Sequence, residues 1–513
     1  MSTVRLDGPG VTIADVVAVA RGGAVVELTD AAVERMAVSR SIVERLAGGE
    51  PTYGVSTGFG ALATVTIPPE RRADLQAALV RSHAAGMGPP VEVEVVRAMV
   101  FLRARTLALG FSGARPVVAE RLLALVNADI APLVPEYGSL GASGDLAPLA
   151  HAALAMLGEG DVRVGGEVGG EVVPAAEALA AAGLEPLVLA DKEGLALTNG
   201  TDGILGQLCL ACHDAAALLS TADVTAALTV EGLLATDRAF AADLLALRPQ
   251  PGQAVSAANL RALLAESPIV ASHRTDDLRV QDAYSVRCTP QVHGAARDTL
   301  AHVVTVAEAE LASAIDNPMV MPDGRVESGG NFHGAPLGFV ADFLAIALAE
   351  VGAIAERRID RVLDHHRSHG LPPFLADDPG VDSGMMIGQY TAAGLCAENR
   401  RLAAPASVDS LPTSGMQEDH VSMAWGAVRK LRRVVDNVRR ILAVELTVSG
   451  RAVDLRAPLV PAAGTGAALA ALRSKVPGPG PDRFLSPELA AAEELLRSGA
   501  VLEAVEEAIG PLA

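Results

Sequence analysis

SMAWGAVRKLRRVVDNVRRILAVELTVS, residues 422–449, holds a single glycine, no proline and no cluster of turn formers. A stretch this long without breakers reads as one continuous helix. Residues 203–229, 295–314 and 336–366 are similarly poor in breakers. Several such stretches in one chain point to a bundle of long helices. Working outward, residues 71–135 read as successive shorter helices, and residues 11–50 carry helical periodicity with Asp30 placed to cap a helix over 31–46. DVRVGGEVGGEVV (161–173) alternates valine with polar residues or glycine and predicts a small hairpin. Near the end, VPGPGPD (476–482) reads as a linker before a helix opened by Ser486-Pro487. The expectation is an all-α protein. A mostly helical N-terminal domain covers 1–199, and a long-helix bundle covers 200–513.

Composition agrees. Hydrophobic residues make up 50% of the chain but aromatics only 3%, so the core must be built from Ala, Leu and Val, two of them strong helix formers. The net charge of −20, with Lys192, Lys430 and Lys475 scattered, repels phosphate backbones and argues against a nucleic-acid partner. The apolar stretch 335–355 is interrupted by Asp342 and Glu350 and reads as a buried helix, not a membrane span. The opening MSTVRLDGPG has no apolar h-region, so a cytoplasmic protein without membrane attachment is expected. Cys209-Leu-Ala-Cys212-His213 has haem-attachment spacing, but in an Ala/Leu-rich helix its two cysteines read as small core residues. The histidines cluster only at His365, His366 and His369, which read as surface, so no metal site is expected.

Polar residues gather in the breaks between helices: 53–60, 138–145, 199–202, 281–291, 328–334 and 412–423. Sites in helical proteins form where such loops converge. GASGD (141–145) admits three readings. It lacks the G-x-S-x-G spacing and the preceding strand of a hydrolase elbow. It can be a plain helix cap before Leu146, the reading that local sequence alone favours. It can also be a tripeptide that cyclises: the Gly144 nitrogen attacks the Ala142 carbonyl, and loss of water leaves a methylidene-imidazolone (MIO) with an electrophilic exocyclic carbon. Glycine permits the close approach that this needs, and the fold must hold the strained turn.

In context, GSLGASGDLAPLAH (138–151) resembles the signature of the MIO-dependent aromatic amino-acid lyases and aminomutases. The resemblance runs along nearly the whole chain. It continues through YGVSTGFG (53–60), LALTNGTDG (195–203), QDAYSVRCTPQVHGA (281–295), DNPMV (316–320), SGGNFHG (328–334) and SVDSLPTSGMQEDHVSM (407–423). Ser82-His83 and Gln417-Glu418-Asp419-His420 resemble the histidine branch of that family. Two positions depart from the usual form: His293 stands where an apolar residue is common, and Gly415-Met416 precedes Gln417.

The resemblance implies an all-α, fumarase/aspartase-like fold and a homotetramer with active sites shared between subunits. It implies a small amino-acid substrate and removal of ammonia from L-histidine to give urocanate. The electrophile would be MIO formed from Ala142, Ser143 and Gly144, with no dissociable cofactor. Asp145, beside the ring, would assist cyclisation. Tyr53 would be the base for the β-proton, which requires surroundings that lower its usual pKa of ~10. Arg287 would hold the substrate carboxylate with its planar fork, completed by Asn199 and Tyr284. His83 and Glu418 would read the imidazole and the amino group, Gln281 and Gln417 would support the substrate, and Phe332 would pack at the MIO loop. Two other readings stand beside this one. Another MIO enzyme would be a tyrosine or phenylalanine ammonia-lyase, or an aminomutase that returns ammonia to the β-carbon, and an inactive scaffold would keep the fold without the chemistry.

Overall fold

The computed structural model describes residues 2–47, 57, 67–166, 170–275, 277 and 279–513. Among these, twenty α-helices carry the architecture and the strands are short, so the fold is all-α. The four breaker-poor stretches are the helices Asp202–Gly232, Thr289–Leu311, Ala335–Leu363 and Ala424–Asp454. Two of them, Asp202–Gly232 and Ala335–Leu363, are long and apolar enough to cross a membrane, but most of each apolar window is buried in protein. One face of Ala335–Leu363 is different. Phe339, Phe343 and Ile346 are 59%, 49% and 46% exposed at successive spacings of four and three, the period of a helix-packing seam.

Contacts divide the chain into two units. The first comprises Met1–His213, Val304–Asp342 and Pro405–Arg429; the second comprises Asp214–Val303, Phe343–Ala404 and Lys430–Ala513. Both are discontinuous in sequence, and four of the five boundaries fall inside the long helices, whereas the sequence reading draws one boundary after residue 199.

In the first unit the helix Val93–Ala108 is buried over almost its whole circumference, including Arg103 and Arg105. Buried guanidinium groups require acceptors, and backbone carbonyls supply them. Arg105 donates to the carbonyls of Ser313 (2.8 Å) and Glu310 (2.9 Å), and Arg103 donates to those of Asn199 and Ile315 (3.0 Å each). One helix therefore grips the irregular segments that carry polar loop residues. The hairpin expected at 161–173 is present as Asp161–Val164 paired antiparallel with Glu171–Pro174, and Ile130–Pro132 adds a third strand. The helix expected after Asp30 begins one residue earlier. Its cap is Thr29, whose hydroxyl accepts from the Ala32 amide at 3.2 Å.

The second unit is organised around buried charge. Arg358 pairs with Glu445, both fully buried, and the Thr225 hydroxyl donates to the same carboxylate at 2.7 Å. Removing one member of such a pair costs about 3–5 kcal/mol. His293, unusual by sequence, sits wholly buried with Nδ1 2.8 Å from Asp223 Oδ1. Burial lowers its pKa below the ordinary imidazole value against the pull of Asp223. Its departure from the common apolar residue is matched by this carboxylate, which Ser256 and Arg297 also bind.

Candidate active site

The site is built on the turn preceding the helix Leu146–Met156. Gly144 has φ +72 and pairs with Gly200 in an isolated parallel bridge. The Asp145 amide donates to the Gly200 carbonyl at 2.6 Å. The approach is backbone to backbone: a Cβ on Gly144 would lie 2.1 Å from the Gly200 oxygen. The other end of the turn is clamped by two loops. The Gly141 carbonyl accepts from the Gly334 amide at 3.0 Å and from the Ser422 hydroxyl at 2.7 Å, and the Leu140 carbonyl accepts from the Met423 amide at 2.8 Å. Segments 138–145, 199–203, 328–334 and 412–423, separate in sequence, thus meet at one tripeptide.

Asp145 fixes this junction. Its carboxylate is buried and accepts from the Ser139 hydroxyl (2.8 Å) and from the amides of Gly203 (2.9 Å) and Ile204 (2.8 Å), at the N-terminus of the Asp202–Gly232 helix. Helix N-termini favour anions. Burial nevertheless pushes the carboxyl up to about 7, opposed by those donors and reinforced by the nearby Asp202. The sign of the consequence follows from linkage. The folded state holds the proton more tightly than an unfolded aspartate with a pKa of ~3.9, so this stabilisation is complete below about pH 4 and is lost as pH rises through about 7. Thermal melts between pH 4 and 8 are expected to show wild type losing stability relative to Asp145→Asn across that window. Parallel curves would contradict the assignment.

Around the tripeptide, the Ser143 hydroxyl donates to Glu418 Oε1 at 3.3 Å, and Glu418 Oε2 accepts from Thr413 Oγ1 at 3.0 Å. His83 ends the helix Arg72–His83, with Nδ1 3.1 Å from Ser82 Oγ. Burial lowers its pKa, countered by a hydrogen bond to the Leu79 backbone and by the Glu418 charge. Asn199 is buried, and its Nδ2 donates to the Asn317 carbonyl at 2.8 Å. Phe332 is half-buried two residues before Gly334, and Gln417 is exposed beside Glu418.

Gln281, Tyr284 and Arg287 belong to the second unit. The Arg287 guanidinium lies 4.7 Å from the centre of the Tyr284 ring, a cation–π contact. Tyr284 is 71% exposed, and Gln281 is exposed too. Tyr53 lies outside the described residues. Sequence reasoning missed a pair that the structure brings together: His333 and His420 stack with ring centres 5.5 Å apart and planes within 4°. The available signal was two imidazoles in two of the polar loops already singled out.

Residues 11–474 match the family described as aromatic amino acid lyase. The chain belongs to the aromatic amino acid lyase family. Within it, the chain is 60% identical over 515 residues to a histidine ammonia-lyase of Streptomyces avermitilis, covering 100% of both chains. A histidine ammonia-lyase of Gloeobacter violaceus is 49% identical, with 99% of this chain and 98% of that one covered. Among solved structures, histidine ammonia-lyase from Trypanosoma cruzi superposes with a TM-score of 0.91 at 39% identity, covering 99% of this chain and 96% of that one. Tyrosine aminomutase from Streptomyces globisporus gives 0.93 at 39% identity, covering 100% of each. The shared fold therefore carries both ammonia-lyases and aminomutases.

Aromatic amino acid lyases are in general MIO-dependent. The residues of this chain fit that group. Forming it here would join the Gly144 nitrogen to the Ala142 carbonyl carbon and expel two waters, one carrying that carbonyl oxygen and one the Ser143 hydroxyl. Among the described residues the Gly144 amide donates no hydrogen bond, so the nitrogen that would attack is uncommitted, while the Asp145 amide is held by Gly200 and the Ser143 hydroxyl by Glu418. The bare Gly144–Gly200 contact leaves room for no side chain there.

Proposed function

We propose that this chain is a histidine ammonia-lyase that converts L-histidine to trans-urocanate and ammonia in the cytoplasm, as part of histidine breakdown. The observation that carries this reading is the arrangement at Ser143, where the Glu418 carboxylate approaches within 3.3 Å and the His83 imidazole feels the charge of that carboxylate. A carboxylate and an imidazole together offer an acceptor and a donor to an imidazole substrate. A site built on such polar contacts rejects a plain phenyl ring, which would leave them unpaired. The Streptomyces and Gloeobacter relatives support the same substrate.

MIO supplies an electrophilic carbon where the Ser143 side chain stands. The remaining tasks fall to side chains. Arg287 holds the substrate carboxylate with two parallel hydrogen bonds, and the Tyr284 ring steadies the guanidinium plane. Tyr53 takes the β-proton. The electrons of that C–H bond become the new double bond as the Cα–N bond breaks, and nitrogen departs as ammonia, without net oxidation or reduction. Glu418 holds or accepts a proton beside the amine, with Gln417 and Gln281 at the margin and Phe332 packing behind the turn. The unit at work is a homotetramer with shared sites. Exposed Tyr284, Gln281 and Gln417, together with the apolar face of Ala335–Leu363, support that reading.

Likeness to the tyrosine aminomutase keeps a second reading open, in which ammonia returns to the β-carbon. An ultraviolet assay with L-histidine, L-tyrosine and L-phenylalanine in parallel separates them. Urocanate from histidine alone is expected, and Ser143→Ala should reduce it on the order of a thousandfold or more. Coumarate, cinnamate or a β-amino acid among the products would overturn the substrate or the reaction.

A further inference from the structure

His151 stands on the helix Leu146–Met156, seven residues beyond Gly144, or about 10 Å along the axis at the ordinary helical rise. Its Nε2 accepts from the Gly86 amide at 3.1 Å. A backbone N–H can only donate, so this nitrogen must carry a lone pair, and the ring must be neutral with its proton on Nδ1. The contact is enclosed. A Cβ on Gly86 would meet His151 Nε2 at 3.1 Å, Pro135 Cβ at 3.1 Å and the Tyr137 carbonyl oxygen at 3.2 Å. A Cβ on Gly138, where the glycine-rich turn opens, would come within 3.2 Å of the Gly86 Cα.

Gly86 also ends the short run that begins at His83. Each amide of that run is committed: Ala84 donates to the Val80 carbonyl at 3.0 Å, Ala85 to the His83 carbonyl at 2.8 Å, and Gly86 to His151. The His151 imidazole thus joins the segment after His83 to the helix that follows the tripeptide. Charged neighbours are engaged elsewhere. Arg81 on Arg72–His83 pairs with Glu159 at 2.6 Å, and Glu136 on Pro135–Tyr137 pairs with Arg429 at 3.3 Å. Glu193 on Glu193–Thr198 pairs with Arg115 at 2.7 Å, and Arg97 on Val93–Ala108 pairs with Asp129 at 2.7 Å. His83 feels the charge of Glu418, and Tyr137 is exposed. Burial alone lowers the His151 pKa, which favours the neutral ring that the Gly86 contact requires.

We propose that His151 is a positioning residue whose neutral ring fastens the turn after His83 to the helix after the tripeptide, and so sets where the His83 imidazole stands relative to Ser143. The catalytic half of this inference rests on the histidine reading above. A proton on Nε2 sets N–H against N–H and releases the segment. The folded chain gives up that proton more readily than an unfolded histidine, so the fastening is intact above about pH 6.5 and is lost as pH falls through the lowered folded value.

Two measurements on the purified full-length enzyme test this. Hydrogen–deuterium exchange of peptides spanning residues 83–90 reads the fastening without substrate, as protection relative to the unfolded rate at each pH. His151→Phe keeps a ring and removes the acceptor, and should lose at least about tenfold of that protection at pH 8; His151→Gln keeps an acceptor that does not titrate, and should restore most of it. Urocanate assays then separate kcat from KM. His151→Phe should raise KM at least about fivefold while its intact mass matches wild type apart from the substitution, because the tripeptide has its own clamps. The ratio of His151→Gln to wild-type kcat/KM, in which the titration of the substrate cancels, should rise at least about threefold from pH 8 to pH 5. Exchange in His151→Phe equal to wild type at pH 8, or a ratio that stays flat, would overturn the proposal. Absence of urocanate from wild type would sink the histidine reading instead, and the exchange comparison would still decide the fastening.

Discussion

Gly144→Ala is expected to yield a protein with no measurable turnover and an intact mass that retains both waters. Two independent costs converge on that one methyl group. The residue has φ +72, a left-handed conformation that costs an L-residue with a Cβ about 1–2 kcal/mol. The methyl would also lie 2.1 Å from the Gly200 oxygen and 2.3 Å from its carbonyl carbon, and these are backbone atoms, which cannot swing aside. Gly200 has little freedom to retreat. Its own Cβ direction is blocked at 2.3 Å by Arg103 Nη1, and its carbonyl holds the Asp145 amide. Overpacking of this kind typically adds about 1–3 kcal/mol. The total is a large share of ordinary folding stability, and the relief available is to separate Gly144 from Gly200, which undoes the geometry that brings nitrogen to carbonyl. Intact-protein mass spectrometry beside the urocanate assay checks this. Full cyclisation at wild-type rate would show that the contact is dispensable.

A charge placed on the exposed face of Ala335–Leu363 should be nearly as damaging, by another route. Phe339, Phe343 and Ile346 present a contiguous apolar stripe, and burying a side chain of this size contributes about 1.5–3 kcal/mol. In the proposed homotetramer the same stripe would be used in every copy, so Phe343→Asp would remove several such contributions together and bury like charges near one another. Light scattering is expected to report a smaller species that keeps helical circular dichroism. Activity should fall on the order of a hundredfold or more, because a separated chain leaves Tyr284 and Gln281 in solvent. A Phe343→Asp enzyme with the mass and rate of wild type would refute the shared-site assembly.

The long helices were legible because they are defined by what they lack: residues 422–449 contain no proline, a single glycine and no cluster of turn formers. Ser143 stood out only through the resemblance that runs along the whole chain, because the local sequence by itself favours a plain helix cap. Other features depend on partners far away in sequence and left no local trace. His293 looked anomalous until Asp223 was found against it, and only the Asn317 carbonyl decides which end of Asn199 is free. The cap at Thr29 instead of Asp30 is a one-residue ambiguity between adjacent residues that are both good caps.

The carboxylate of Asp145 begins a helix of 31 residues and at the same moment tightens the turn that carries Ser143. These two acts cannot be separated. A chain still emerging from the ribosome, with that helix unformed, has nothing to draw Asp145 toward Gly200, so its tripeptide stays an ordinary stretch of polypeptide. In the MIO enzyme proposed above, the electrophile would therefore await the meeting of these two segments, and immature copies would carry none with which to damage their neighbours.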